Sequence, residues 1–207
     1  MARETYHHGD LKRTLILAGM EILASSGVAG FSLRKVALKA GVSHTAPYAH
    51  FKDKRALFAA IMTEGYVQLY GRMVKAMEGA EADPKRGLLE ASWAYVDFAL
   101  SDTELFTILF SGILEDEKEF PSYIDMTRKC YALLSESVRV CQACCILAHE
   151  PDDIAATRIW SCLHGFASLV AKGQISHSVL ERMKLRSLVE ALVLPGQGNE
   201  RASKPSK

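Results

Sequence analysis

The residues best placed to do chemistry lie between Ser32 and Phe58, in the stretch SLRKVALKAGVSHTAPYAHFKDKRALF. Ser32 suits the N-cap of a short helix that carries Leu33, Val36, Ala37 and Ala40 on one face. Gly41 stands where a left-handed C-cap is wanted. Ser43 is expected to cap a very short helix running to about His50, and Asp53 to cap the next one. Two short helices joined by a glycine turn pack through small and apolar residues. The second of such a pair can lie in the major groove of DNA with its first residues at base edges. Here that helix carries His44, Thr45 and Tyr48, and its far end supplies His50. The helix starts at Ser43 and at Asp53–Lys54 offer free backbone N–H groups to phosphates, and Lys54 adds a full charge. Ser32 and Arg34 complete the candidate DNA-binding set.

A second cluster is CQACC, with Cys141, Cys144 and Cys145. Cys141 and Cys145 share a helical face, which suits metal binding or thiol oxidation. No second CxxC and no well-spaced histidine pair accompanies them, so packing as small hydrophobes is the preferred alternative. No metal site and no cofactor is therefore expected. Nor does any nucleophile–base pair, phosphate loop or carboxylate pair point to an enzyme; a helical enzyme or adaptor is the remote alternative.

The elements that must position these residues all read as helix. Apolar residues recur at three- and four-residue steps, without strand-like alternation. Leu11, Leu15, Ala18, Ile22 and Leu23 form the inner stripe of a first helix, closed by Gly27 and Gly30. The helix after Asp53 has a stripe through Leu57, Phe58 and Ile61 that continues to Met77. Further helices are predicted at 86–100, 102–112, 120–146, 152–173 and 176–194, with Pro121 and Pro151 in first turns. The expected fold is all-α. It has a helix-turn-helix head over 1–55, a helical body over 56–194, and a disordered tail over 195–207 that lacks large apolar side chains.

Charge follows the same division. The 207 residues carry 25 basic and 24 acidic side chains. Residues 1–60 hold nine basic against four acidic, a surplus of five, which leaves the rest at minus four. A basic head on a mildly acidic body is the asymmetry of a nucleic-acid-binding protein. The polar start MARETYHHGDLKR has no secretory signal pattern, and no apolar run matches a membrane span. With five cysteines, an odd number, the expectation is a reduced, cytoplasmic protein without membrane attachment.

Over residues 8–58 the chain resembles the TetR (tetracycline repressor) family of bacterial transcriptional regulators. The residues that carry the resemblance are Ala37-Leu38-Lys39-Ala40-Gly41-Val42-Ser43, then Tyr48, His50-Phe51, Asp53-Lys54 and Leu57. Ala18 and the Gly27–Gly30–Phe31–Ser32 approach match as well. The resemblance implies phosphate contacts at Tyr48, His50 and Lys54, a cap at Ser43, and base reading by His44 and Thr45. Phe51 is expected to pack. The arm residues Arg3, Thr5, Tyr6, His7 and His8 are weaker candidates for the backbone or minor groove. One departure stands inside the reading helix. Pro47 replaces the family's usual aliphatic residue, and a proline at the fourth helical position removes the first i→i−4 bond. A late or distorted helix follows from it.

The resemblance further implies a homodimer with a ligand-binding C-terminal domain. Its last two helices would pair across a two-fold axis, and two heads would read a near-palindromic operator with half-sites ~34–36 Å apart. Ile159-Trp160-Ser161-Cys162-Leu163-His164-Gly165 resembles the Trp–His–Gly signature of one subgroup of such domains. Trp93, Phe98, Phe106, Phe110, Met126, Trp160 and His164 are the ligand-binding candidates. The function implied is a repressor released from double-stranded DNA by a small-molecule effector. A trigger by thiol oxidation or metal at Cys141, Cys144 and Cys145 is the alternative.

Overall fold

A computed structural model describes residues 8–114 and 116–194, and within 8–10 the backbone alone. The arm residues 3–7, the His8 side chain and the 195–207 tail lie outside the described part. Among the described residues the structure is helical with no strand.

Two compact units divide the chain: Met1–Gln68 with Glu104–Arg128, and Leu69–Thr103 with Lys129–Lys207. In the first, α1 (His8–Gly30) kinks at Gly27, whose φ of 61° is left-handed. α2 (Leu33–Lys39) packs on α1, burying Leu15, Leu23, Val36 and Ala37. α3 (Lys54–Met77) adds Leu57 and Ile61 to this core. Gly19 admits that contact: a Cβ there would lie 2.4 Å from Ile61 Cδ1. α5 (Thr103–Leu109) joins the unit through Tyr66, whose hydroxyl donates to the Leu109 carbonyl at 3.3 Å.

The second unit is built on α4 (Pro84–Ser101), α7 (Asp152–Ala171) and α9 (Leu185–Val193), each packed on the other two. Leu88, Val96, Phe98, Ile159 and Val193 fill its centre with Val138 of α6 (Pro121–Ala143). Pro84 occupies a first turn capped by Asp83, whose carboxylate accepts from the Arg86 N–H at 3.0 Å. Pro151, expected inside a first turn, instead stands one place earlier as the cap residue of α7.

Several helix ends differ from the sequence expectation; the helix predicted over 102–112, for one, stops at Leu109. The helix predicted to reach 146 stops at Ala143, where Cys145 turns left-handed with φ 57°. There the N–H groups of Ile146 and Cys145 close on the carbonyls of Cys141 and Gln142 at 2.8 and 3.0 Å, a Schellman ending with cysteine in the glycine place. The helix predicted over 176–194 is broken into α8 (His177–Arg182) and α9 by extended backbone at Met183 and Lys184. Apolar periodicity runs on across that break, so the pattern did not mark it.

Candidate nucleic-acid interface

Local chemistry builds the interface from its first residue. The Ser32 hydroxyl accepts from the Lys35 N–H at 3.2 Å and starts α2. The far end closes as a Schellman motif. Gly41 takes φ 71°, its N–H bonds the Leu38 carbonyl at 3.1 Å, and the Val42 N–H bonds that of Ala37 at 3.0 Å. Arg34 is exposed on this helix.

The reading segment is not an α-helix. It is a single 3-10 turn, Ala46–Ala49, approached through a turn at His44 and Thr45. Pro47 gives the reason: it has no N–H to bond the Ser43 carbonyl, and that carbonyl instead accepts from Ala46 at 3.0 Å, one residue short of helical spacing. The expected capping role of Ser43 is corrected accordingly. Thr45 holds the cap position, no side chain caps the turn, and the Ser43 hydroxyl pairs with the Thr45 hydroxyl at 3.1 Å.

The turn nevertheless presents the expected face. His44 and Thr45 are exposed, and Tyr48 is 59% exposed. Pro47 and Phe51 point the other way and are buried. His50 is half-buried, and its Nε2 is shielded from solvent without a hydrogen-bond partner. The next helix is firmly capped: Asp53 Oδ1 accepts from the Ala56 N–H at 2.8 Å. Lys54 is exposed at its first turn, with Nζ 5.6 Å from the Phe31 ring centroid. An exposed polar turn followed by a capped helix start and a lysine is suited to bases and phosphates.

Two neighbouring cations escaped sequence reasoning. Lys52 Nζ lies 2.9 Å from Glu119 Oε2, and Arg55 lies 3.5 Å from Asp116 and 3.9 Å from Glu119. These partners are more than sixty residues away along the chain, and no local pattern announces them.

The ligand candidates fall in both units. Phe106, Phe110 and Met126 belong to the first, where Phe106 and Phe110 rings stand 4.9 Å apart and Tyr66 meets Phe110 edge-on at 5.9 Å. Trp93, Phe98, Trp160 and His164 belong to the second. Phe98 is fully buried, with the Arg72 guanidinium 5.0 Å from its ring centroid. Trp93 sits under Arg186, at 5.8 Å. Trp160 and His164 converge on Tyr95, a partner the sequence did not indicate. Near Trp93 a surface cleft of 260 Å³ is lined by Lys85, Arg86, Leu89, Glu90, Arg186 and Val189, among others.

The cysteine cluster separates. Cys141 is buried, its thiol donates to the Pro84 carbonyl at 3.3 Å, and burial pushes its pKa up to about 11. Cys144 and Cys145 are exposed. Among the described residues no group of three or more His, Cys, Asp or Glu side chains is arranged to hold a metal ion.

An all-helical fold in which α2 turns through Gly41 into an exposed polar 3-10 turn has the form of a helix-turn-helix DNA-binding regulator. The family description "Bacterial regulatory proteins, tetR family" matches residues 15–61, and "Tetracyclin repressor-like, C-terminal domain" matches 88–193. The chain belongs to the TetR family of transcriptional regulators. A search of curated proteins gives no match. Among solved structures, a protein of unknown function from Rhodococcus sp. RHA1 is 29% identical, with 92% of this chain and 95% of that one covered and a TM-score of 0.76. The fatty acid degradation regulator FadR from Bacillus halodurans is 17% identical over 93% and 99%, with a TM-score of 0.73. FadR from Bacillus subtilis, solved with stearoyl-CoA, is 18% identical over 89% and 98%, with a TM-score of 0.71.

Proposed function

We propose that this chain is a one-component repressor that binds a near-palindromic operator as a homodimer and is released by a small-molecule effector. The observation that carries the DNA half is the exposed edge His44–Thr45–Tyr48 leading into the capped, lysine-bearing start of α3. His44 and Thr45 read bases. Tyr48, His50 and Lys54 hold phosphates, with Arg34 beside them on α2 and Ser32 acting as its cap. Because the turn is 3-10, few base-reading positions are available, and phosphate contacts supply most of the affinity.

Dimerisation draws support from the outer face of α7 and from α8. Ile154, Leu169, Leu180 and Met183 are exposed apolar side chains. Leu163, Phe166 and Val189 of α7 and α9 are buried in the core of their own protomer. α7 is long and apolar enough by composition to cross a membrane. Yet it begins Asp152-Asp153, carries Arg158 paired to Glu150, and buries Ala155, Ile159 and Leu163 on a protein core. A second copy of the chain suits its outer face better than lipid does.

The effector belongs in the C-terminal helical domain. The stearoyl-CoA in Bacillus subtilis FadR is consistent with this fold accepting a long apolar ligand. The role is regulatory, not enzymatic, and it places the protein in the cytoplasm with the chromosome. A thiol trigger has less to work with, because Cys141 is buried and bonded and only the Cys144–Cys145 pair is open. The test is a mobility-shift titration on the DNA upstream of the protein's own gene. Retardation as a dimer at moderate salt, relieved by an effector, is expected. No complex at any protein concentration overturns the reading.

A further inference from the structure

We infer that the segment Asp116–Phe120 is an electrostatic latch that holds Lys52 and Arg55 back from DNA phosphates. The inference rests on the DNA-binding reading above and adds a regulatory contact to it. Lys52 lies between His50 and Lys54 in sequence, and Arg55 follows directly, so both cations flank the phosphate-binding start of α3. Their side chains remain 62% and 41% exposed, open to a duplex once released. Glu119 meets both of them and Asp116 meets Arg55. The Phe120 ring closes the set, with its centroid 5.9 Å from Lys52 Nζ and 5.7 Å from the Arg55 guanidinium. Lys52 and then Arg55 hold the Glu119 carboxyl below the usual carboxylate range, so it is charged wherever DNA binding is measured.

A carboxylate and a phosphodiester compete for the same ammonium or guanidinium donors. With the latch closed, those cations are neutralised from within the protein and release fewer counterions on binding DNA. The latch also lies within the span matched to the C-terminal ligand-binding domain, although it packs in the same compact unit as the head. A change in that domain that shifts residues 116–120 therefore alters the number of cations offered to DNA.

The experiment measures binding of the full chain to a mixed-sequence duplex by fluorescence anisotropy, as a function of salt. Asp116→Asn with Glu119→Gln is expected to raise affinity about two- to fivefold per protomer, the range of an exposed ion pair. The slope of log K against log salt is expected to steepen by about one for each cation released. Lys52→Gln costs less than about twofold in the wild type, where Lys52 is already engaged, and reverses the gain in the Glu119→Gln background. Unchanged or weaker binding by the carboxylate variants overturns the latch. So does a Lys52→Gln loss equal in both backgrounds. Thermal unfolding of each variant shows whether the fold is kept, and Asp116→Asn alone serves as the second variant should Glu119→Gln unfold. A wild type that binds no duplex overturns the DNA reading itself; a wild type that binds with the variants alike overturns the latch alone.

Discussion

The Tyr95 hydroxyl lies 2.8 Å from Nδ1 of His164, tying α4 to α7. Trp160 stands beside the pair, its ring centroid 6.2 Å from that of His164. His164 is half-buried on α7. Burial, then the charge of Lys172, lowers its pKa below the ordinary 6.5, and burial raises that of Tyr95.

A pH dependence follows. The unfolded chain takes up a proton on His164 near 6.5, while the folded protein resists it until lower pH. The unfolded state thus binds more protons through that window, so stability is full above it and falls as pH drops through 6.5 toward the lowered folded value. Urea midpoints measured from about pH 7.5 to 5.5 are expected to fall less in His164→Gln than in the wild type. Parallel profiles would show that the histidine is not protected.

The two Schellman endings make opposite predictions. At Gly41, φ is 71° and a Cβ would meet nothing within 4 Å, so Gly41→Ala suffers from backbone strain alone. A loss of about 1 kcal/mol is expected in chemical denaturation. At Cys145 the same strain is already present, and Cys145→Gly is expected to gain a similar or smaller amount, about 0.5–1 kcal/mol. Equal signs for the two substitutions contradict this account.

Those endings also show what the sequence could and could not convey. Ser32, Gly41 and Asp53 were legible because capping is local: the side chain or glycine that closes a helix lies within three residues of the group it serves. Pro47 was legible for the same reason, and it distorts the reading turn as its missing N–H requires. Cys145 hid its turn because cysteine carries no left-handed preference. The bonds from Lys52 to Glu119 and from Tyr95 to His164 span 67 and 69 residues, and nothing near either partner encodes the other. For the same reason, the inclusion of residues 104–128 with the head left no trace in periodicity.

The cysteines should separate by reactivity. Cys144 and Cys145 are exposed, whereas burial pushes Cys130 up to about 12 and Cys141 up to about 11. An aromatic disulfide reagent on the native protein is expected to label Cys144 and Cys145 first, with Cys130 and Cys141 reacting after denaturant is added. Peptide mass mapping reads this directly. Early labelling of Cys141 would reopen a three-thiol trigger.

Gly165 on α7 offers a test of the homodimer. A Cβ there meets nothing within 4 Å, so a larger side chain is accommodated within the protomer. If a second copy covers this face, Gly165→Leu overpacks the interface at about 1–3 kcal/mol, weakening the dimer about 5- to 150-fold. Sedimentation velocity across a concentration series measures it. A dimer unaffected by leucine lies on another surface.

On the proposed reading the DNA edge has positions that read and positions that hold, and salt and sequence dependence separate them. Lys54 is an exposed lysine at a capped helix start, suited to a phosphate and blind to sequence. Lys54→Gln is expected to weaken operator and mixed-sequence duplex alike, with the salt slope smaller by about one per protomer. His44 stands exposed on the turn before Thr45, where a ring nitrogen can reach a base edge. His44→Ala is expected to cost about 1–3 kcal/mol on the operator and almost nothing on the mixed sequence. Anisotropy titrations of both variants on both duplexes give four numbers. If His44→Ala weakens the two duplexes equally, the histidine is a backbone contact. Sequence reading then falls to Thr45 and to the shape of the DNA under a 3-10 turn.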